Sequence, residues 1–309
     1  MILVTANTHP YLLQQFAQRD IEYIYSPSIS YEEMSQLMPD LTGLVVTTRL
    51  RIDRELIDKA AKLKWIGRLG SGLELIDTHY ANERNIACIS TPEGNRNAVA
   101  EHALGMLLCL SNHILKANRE VQQREWVRDA NRGTEISGKT IGIIGYGNTG
   151  SAFAKLLSSF GVTILAYDKY VHGFGGEFIK EASFEQVCRY ADVVSFHLPL
   201  NGETQYMANM DFFNSLGQKP FILNTSRGGI VHTEALINAL NGGLIRGACL
   251  DVLENEKLSS QSIEDQEQMA FLATHPSVVL TPHIAGYSHE SFLRMSETLI
   301  MKLEAQGFL

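Results

Sequence analysis

Cysteine is scarce and unpaired in this sequence. Cys88, Cys109, Cys188 and Cys249 are widely spaced, with no C-x-x-C and no metal-ligand cluster. That spacing excludes a disulfide scaffold and a zinc ribbon. Each thiol lies in or beside an apolar stretch, so reduced, buried cysteines and a cytoplasmic setting are expected, with no metal. Positive charge is also in deficit: 26 Lys and Arg against 34 Asp and Glu give a formal net charge of −8. No basic stripe is left for nucleic acid, and an anionic ligand has to be held by local cations against the overall field. Long apolar runs are missing too. The longest, residues 103–110, falls well short of the roughly 18 residues of a membrane span and reads as a buried helix, so no membrane partner is expected. The first residues, Met1-Ile2-Leu3-Val4-Thr5, turn polar at Asn7 and Thr8 without a basic lead, so no signal peptide is expected.

What is present is an ordinary globular composition, 45% hydrophobic and 19% charged over 309 residues, enough for two domains. Short apolar runs at 2–5, 21–25, 43–48, 65–69 and 86–90 alternate with helical patterns at 11–19, 31–37, 54–61 and 76–84. That alternation predicts parallel strands with helical crossovers, hence an α/β sheet. The strands show little polar alternation, as expected for sheets covered on both faces. Thr91-Pro92-Glu93-Gly94-Asn95 punctuates the chain and predicts a boundary before a helix over 98–115, whose Val99, Leu104, Leu107, Leu108 and Leu115 face a core. A polar bridge is expected over 119–138. Further strands follow at 140–144, 162–167, 193–197, 221–224, 247–251 and 278–281. Residues 258–268 read as a polar insertion or short helix. A last helix over 288–304 places Phe292, Met295, Leu299 and Leu303 on one face. The predicted fold is α/β, with two Rossmann-like or flavodoxin-like parallel-sheet domains and a cleft between them. The expected division is 1–93 plus 284–309 for a substrate domain and 94–283 for a dinucleotide domain.

Residues 140–168 carry the most specific local signal. The strand 140–144 runs into Gly145-Tyr146-Gly147-Asn148-Thr149-Gly150, then a helix over 151–160, Gly161, a second strand and Asp168. Gly145 permits the tight turn, Gly147 lets the backbone approach a pyrophosphate, and Gly150 lets helix and strand pack closely. The helix N-terminus offers N–H groups and a positive dipole end to phosphate. Asp168 is placed to accept hydrogen bonds from the adenosine ribose. An acid there favours NAD over NADP by repelling a 2′-phosphate, with Lys169 next to it as a softening charge.

Three later strand ends carry polar groups where open α/β sheets bind ligands: Asn224-Thr225-Ser226-Arg227-Gly228-Gly229, Leu250-Asp251 through Glu254-Asn255-Glu256, and Thr281-Pro282-His283-Ile284-Ala285-Gly286. An arginine before two glycines suits a bidentate carboxylate clamp; an interdomain salt bridge is the plainer alternative. Hydride transfer from a secondary alcohol needs an anchor, a base and a group that orients the base. Arg, His and Glu supply those types.

With these stretches and Ser195-Phe196-His197-Leu198-Pro199-Leu200, the chain resembles the D-isomer-specific 2-hydroxyacid dehydrogenase family over essentially its whole length. Gly67-Arg68-Leu69-Gly70-Ser71-Gly72 and Ala98-Val99-Ala100-Glu101-His102 resemble its phosphoglycerate dehydrogenase branch most. The resemblance implies a catalytic group of Arg227, Glu256 and His283. Arg227 would hold the substrate carboxylate, His283 would move the hydroxyl proton, and Glu256 would hold the imidazole. It implies NAD as cofactor, with Asn148 and Thr149 at the pyrophosphate, Asp251 facing the nicotinamide, and Leu198, Pro199, Thr204, Thr225, Ala285 and Gly286 also lining the cofactor site. It implies that Ser71 and Gly72 offer backbone N–H groups to an anionic 2-hydroxy or 2-oxo acid. Arg49, Arg68, Asn95 and Arg96 complete the expected substrate set. Several arginines in an acidic chain suggest a second anionic group on the substrate, such as a 3-phosphate, although Arg51 and Arg96 also suit surface or interdomain charges.

The sequence departs from the family pattern at Lys257, where a proline usually follows the catalytic acid, at Ala285, and at Leu73-Glu74. These sit near the expected cleft and leave the substrate open between 3-phospho-D-glycerate and glyoxylate, hydroxypyruvate or another hydroxyacid. A dinucleotide-sensing corepressor-like binding protein is the alternative from another class. The resemblance further implies a homodimer through the 98–115 helix and the Trp126 region. It also implies no serine inhibition, the chain ending at Leu309 without a regulatory segment.

Overall fold

β-Branched and leucine-rich runs form two all-parallel sheets in the computed structural model, which describes residues 1–309. The first sheet has the order β2-β1-β3-β4-β5, from β1 (Ile2–Val4), β2 (Tyr23–Tyr25), β3 (Gly43–Val46), β4 (Trp65–Arg68) and β5 (Ala87–Ser90). The second has the order β12-β11-β10-β9-β6-β7-β8. Its strands are β6 (Thr140–Ile144), β7 (Thr163–Tyr167), β8 (Ile179–Glu181), β9 (Val193–Phe196), β10 (Phe221–Asn224), β11 (Gly247–Leu250) and β12 (Val278–Leu280). The first order is flavodoxin-like; the second is the Rossmann order with one strand added. The chain forms two compact units, Met1–Arg96 with Gly286–Leu309, and Asn97–Ala285. No single helix is long and apolar enough to cross a membrane.

The unbroken apolar character of the strands follows from covering both faces. In the first unit, Leu3, Leu44, Val46 and Ile66 pack with Leu56 and Ile57. Their neighbours Val4, Val45 and Trp65 point the other way, onto Phe16, Leu299 and Leu303. In the second unit Ile141, Ile143, Val193, Leu223 and Cys249 share a layer with Phe153, Leu107 and Leu110. Ile144, Val194, Phe196, Ile222, Ala248 and Leu250 face the opposite layer with Phe212 and Leu236. A side-chain period of two thus feeds two cores from one strand. Each fully buried aliphatic side chain contributes roughly 1.5–3 kcal/mol.

Several expectations are corrected. Pro92 opens the long helix instead of preceding it: the element is Pro92–Ser111, because proline at a helix start forfeits only an N–H that has no partner there. The helix stops at Ser111, four residues short of Leu115. His113 turns left-handed (φ +54°) and a second helix, Ile114–Gln122, occupies the start of the expected polar bridge. Leu115 sits on it 42% exposed, outside the core. The apolar pattern continues across the break, which has no proline or glycine to mark it. Phe292, expected inside, is exposed on the helix His289–Ala305. The polar 258–268 stretch ends in a regular helix, Ile263–Thr274, started by a Ser262–Asp265 capping box. β8, short and half polar, gave no sequence signal.

Candidate active site

The second sheet reverses its winding between β6 and β9, and at such a switch point the loops leaving the carboxyl ends diverge to form a crevice. The glycine loop leaves β6. Gly145 is left-handed (φ +95°), and a Cβ there would lie 2.3 Å from the His197 carbonyl oxygen. A Cβ on Gly150 would lie 2.0 Å from the Gly145 oxygen, so helix and turn touch backbone to backbone. Gly147 differs: a Cβ there meets nothing within 4 Å. Internal packing therefore does not require glycine at 147, whereas close approach of a ligand does. Gly147 is the N-cap of the helix Asn148–Leu157, and no side chain caps that end. Its first N–H groups, including those of Asn148 and Thr149, remain available to an anion. Thr225, after β10, adds a buried hydroxyl without a partner. An open glycine, an uncapped helix end and an orphaned hydroxyl along one sheet edge fit a dinucleotide.

Asp168 ends β7. Its Oδ2 accepts the Tyr146 N–H at 2.8 Å, and Oδ1 accepts the Tyr170 and Val171 N–H groups at 2.9 and 3.0 Å. These bonds fix the carboxylate beside the glycine loop. The loop after β9 carries Leu198, half-buried, and Pro199, exposed. Thr204 is buried and closes that loop on itself: its hydroxyl donates to the Pro199 oxygen at 2.6 Å and accepts the Asn201 N–H at 2.9 Å. His197 lies beneath, buried, its Nε2 2.9 Å from Ser195 Oγ and its Nδ1 without a partner. Burial pushes its pKa down to about 4.

The last three strands place the other groups. Arg227 leaves β10 on a loop stapled by Asn224, whose Nδ2 donates to the Arg227 oxygen at 2.8 Å while its Oδ1 accepts from the Ser226 N–H and hydroxyl. A Cβ on Gly228 would lie 1.8 Å from the Leu253 oxygen, so the loops after β10 and β11 are in backbone contact. Glu256 follows β11 and His283 follows β12. Their side chains meet, His283 Nδ1 2.8 Å from Glu256 Oε2, each 42% exposed. An Nδ1–H donated to that carboxylate leaves Nε2 free to accept a proton.

His283 reaches this position through a left-handed backbone, φ +55°, costly for a residue with a Cβ. Asp251 holds it there. The Asp251 carbonyl accepts the His283 N–H at 2.7 Å. Its buried carboxylate accepts the Ile284 N–H at 2.9 Å, the Ala285 N–H at 2.8 Å and the Thr281 hydroxyl at 2.5 Å. His102 Nε2 lies 3.0 Å from that hydroxyl. Both oxygens of Asp251 are thus turned to the 281–285 loop. Thr281 and His102 give no functional signal in the sequence, since their partners lie on other elements; Asn224 bonds within its own loop, to Ser226 and Arg227, as a local asparagine turn.

In the first unit the candidate substrate residues also follow strand ends. Arg49, exposed after β3, donates to the Thr5 carbonyl at 3.2 Å. Arg68 ends β4 and donates to the Leu69 oxygen at 3.1 Å. Ser71 and Gly72 follow it, half-buried, past Gly70, whose N–H is held by Thr91 Oγ1 at 2.8 Å. Asn95 and Arg96 lie in the first turns of the helix Pro92–Ser111, Asn95 with a buried, unpartnered Oδ1 and Arg96 exposed. Gly286 belongs to this unit, whereas Ala285, buried, closes the other.

Residues 104–285 match the profile of the D-isomer specific 2-hydroxyacid dehydrogenase, NAD binding domain. D-3-phosphoglycerate dehydrogenase of Bacillus subtilis (strain 168) is 34% identical over 82% of this chain and 47% of its own length. Hydroxypyruvate reductase of Thermotoga maritima is 31% identical over 91% of this chain and 89% of its own. The chain spans about half the length of the curated phosphoglycerate dehydrogenases it matches, 49%, 47% and 56% for three of them. Among solved structures, that of D-lactate dehydrogenase from Aquifex aeolicus complexed with NAD and lactic acid is similar with a TM-score of 0.85. It is 25% identical, covering 99% of this chain and 96% of that one. With its glycine loop, its acid after β7 and its two parallel sheets, this chain belongs to the D-isomer specific 2-hydroxyacid dehydrogenase family.

Proposed function

We propose that the chain is an NAD-dependent oxidoreductase of D-2-hydroxyacids and that its substrate is 3-phospho-D-glycerate, oxidised to the 2-oxo acid. The observation that carries this reading is the 2.8 Å contact between His283 Nδ1 and Glu256 Oε2. It pairs an oriented base with its orienting acid. His283 Nε2 takes the hydroxyl proton in oxidation and returns it in reduction, while Glu256 holds the ring in the tautomer that leaves Nε2 basic. Arg227 pairs with the substrate carboxylate. Bound NAD supplies the hydride acceptor; Gly147, Asn148 and Thr149 hold its pyrophosphate, Asp168 its ribose, and Thr225 offers a further hydroxyl. Ser71 and Gly72 offer N–H groups to the carboxylate, and Arg49 and Arg68 are the cations for a phosphate.

A second reading is reduction of hydroxypyruvate or glyoxylate, favoured by the hydroxypyruvate reductase relative that aligns over most of both chains. A panel of 3-phosphoglycerate, glycerate, D-lactate, hydroxypyruvate and glyoxylate with NAD or NADH tests both. The first reading expects 3-phosphoglycerate to have the highest kcat/KM, and faster turnover of an unphosphorylated acid overturns the phosphate assignment. A homodimer belongs to the same proposal. Its contact is placed on the exposed apolar set Ile114, Leu115, Val121, Trp126 and Val127, of which Trp126 is 80% exposed. Four free cysteines fit a reducing, cytoplasmic setting.

A further inference from the structure

Asp168 excludes a 2′-phosphate only if no neighbouring cation offsets its charge, and the next residue is a lysine. Lys169 does not stand alone. Its Nζ lies 2.7 Å from Glu203 Oε1, and the Tyr170 hydroxyl donates to Glu203 Oε2 at 2.5 Å. The ammonium also lies 5.5 Å over the Tyr170 ring. Glu203 is itself positioned, its N–H donating to Asn201 Oδ1 at 2.9 Å in the loop that Thr204 closes. β7 and β9 flank β6, so this pair joins the two loops on either side of the glycine turn.

We propose that Glu203 is a positioning residue for cofactor choice: it holds Lys169 away from the adenosine ribose and so keeps the site selective for NAD over NADP. The proposal rests on the reading of Asp168 as the ribose acceptor. With Glu203 in place the three side chains Asp168, Lys169 and Glu203 carry a net negative charge, and a 2′-phosphate meets one carboxylate and a lysine already engaged. Without Glu203 the lysine swings free on a flexible stem and can pair with that phosphate. The Glu203 hydrogen bond makes Lys169 hold its proton more tightly than an isolated lysine, and Lys169 with Tyr170 keeps the Glu203 carboxyl below the usual range. The pair is about half exposed, 54% and 51%, so its influence is modest: a solvent-exposed pair is worth a factor of up to about five.

The test is calorimetric titration of the full chain with NADH, NADPH, 5′-AMP and 2′,5′-ADP, comparing wild type, Glu203→Gln, Lys169→Gln, the double variant and Asp168→Asn. Glu203→Gln is expected to raise affinity for NADPH and 2′,5′-ADP relative to their unphosphorylated counterparts by about three- to fivefold. The double variant is expected to lose that gain. An unchanged ratio in Glu203→Gln, or a gain that survives in the double variant, overturns the role of Glu203. Asp168→Asn separates this from failure of the site reading: if it alters neither NADH affinity nor the NADPH ratio, the ribose is not bound there and both ideas fall.

Discussion

His283 presents Nδ1 to Glu256 Oε2 at 2.8 Å across the loops that follow two adjacent parallel strands, β12 and β11. Neither residue is buried, each being 42% exposed, so the pair is not a core salt bridge, and its geometry commits Nδ1 and not Nε2 to the carboxylate. On the proposed reading, removing one partner changes turnover more than stability, since a half-exposed pair contributes little to the fold.

Replacing His283 by Ala is therefore expected to lower kcat by about 10²–10⁴-fold, the range of a lost general acid–base group. Glu256→Gln, which keeps a hydrogen-bond acceptor but not the charge, is expected to lose less. NADH affinity by fluorescence titration is expected to stay within about twofold of wild type in both. Turnover near the wild-type rate in His283→Ala would remove the residue from the mechanism.

Asp251 acts on His283 from behind. Asp251→Ala strips acceptors from the Ile284 and Ala285 N–H groups and the Thr281 hydroxyl, and one such loss costs about 1–3 kcal/mol. A destabilisation of at least about 2 kcal/mol in urea is expected, together with a fall in kcat as the left-handed turn at 283 relaxes. His102→Phe, which removes one bond to Thr281, is expected to lose about 1 kcal/mol. Equal effects of the two variants would contradict a network centred on Asp251.

Two glycines of one loop are expected to fail differently. Gly147→Val enters open space and should leave thermal stability within about 0.5 kcal/mol while weakening NADH at least about tenfold by blocking backbone approach. Gly150→Ala places a Cβ 2.0 Å from the Gly145 oxygen and should destabilise the fold by about 1–3 kcal/mol or more. Calorimetry with and without NADH distinguishes them; tight NADH binding by Gly147→Val is the contrary result.

His197 gives a pH dependence. Its pKa is about 4 in the fold against 6.5 unfolded, so between those values the unfolded chain binds the extra proton and stability rises with pH. The contribution is intact above pH 6.5 and is lost as pH falls toward 4, up to roughly 3 kcal/mol. His197→Asn should flatten the melting temperature over that window. A wild-type curve already flat between pH 7 and 4.5 would contradict it.

The glycine turn, its flanking strands and Asp168 were legible because the requirement is local: a tight turn, a close approach and a strand end lie within thirty residues of one another. Arg227, Glu256 and His283 stood out as polar groups just past apolar strands. The start of the long helix is not legible, for the opposite reason. Gly94 looks like punctuation, yet a Cβ there would lie 2.7 Å from Met295 Cα, so it answers to a helix two hundred residues away. Likewise Leu115 completes a helical pattern whose helix ends at Ser111.

The sequence by itself determined two parallel α/β sheets and the dinucleotide turn, since hydrophobic period and glycine mechanics act over a few residues. Only the tertiary structure decided that Asp251 holds the His283 turn and that Glu203 engages Lys169. Those bonds join residues on separate loops, and the strand order that brings such loops to one edge of a sheet is set by packing across the whole unit, not by any neighbour in the chain.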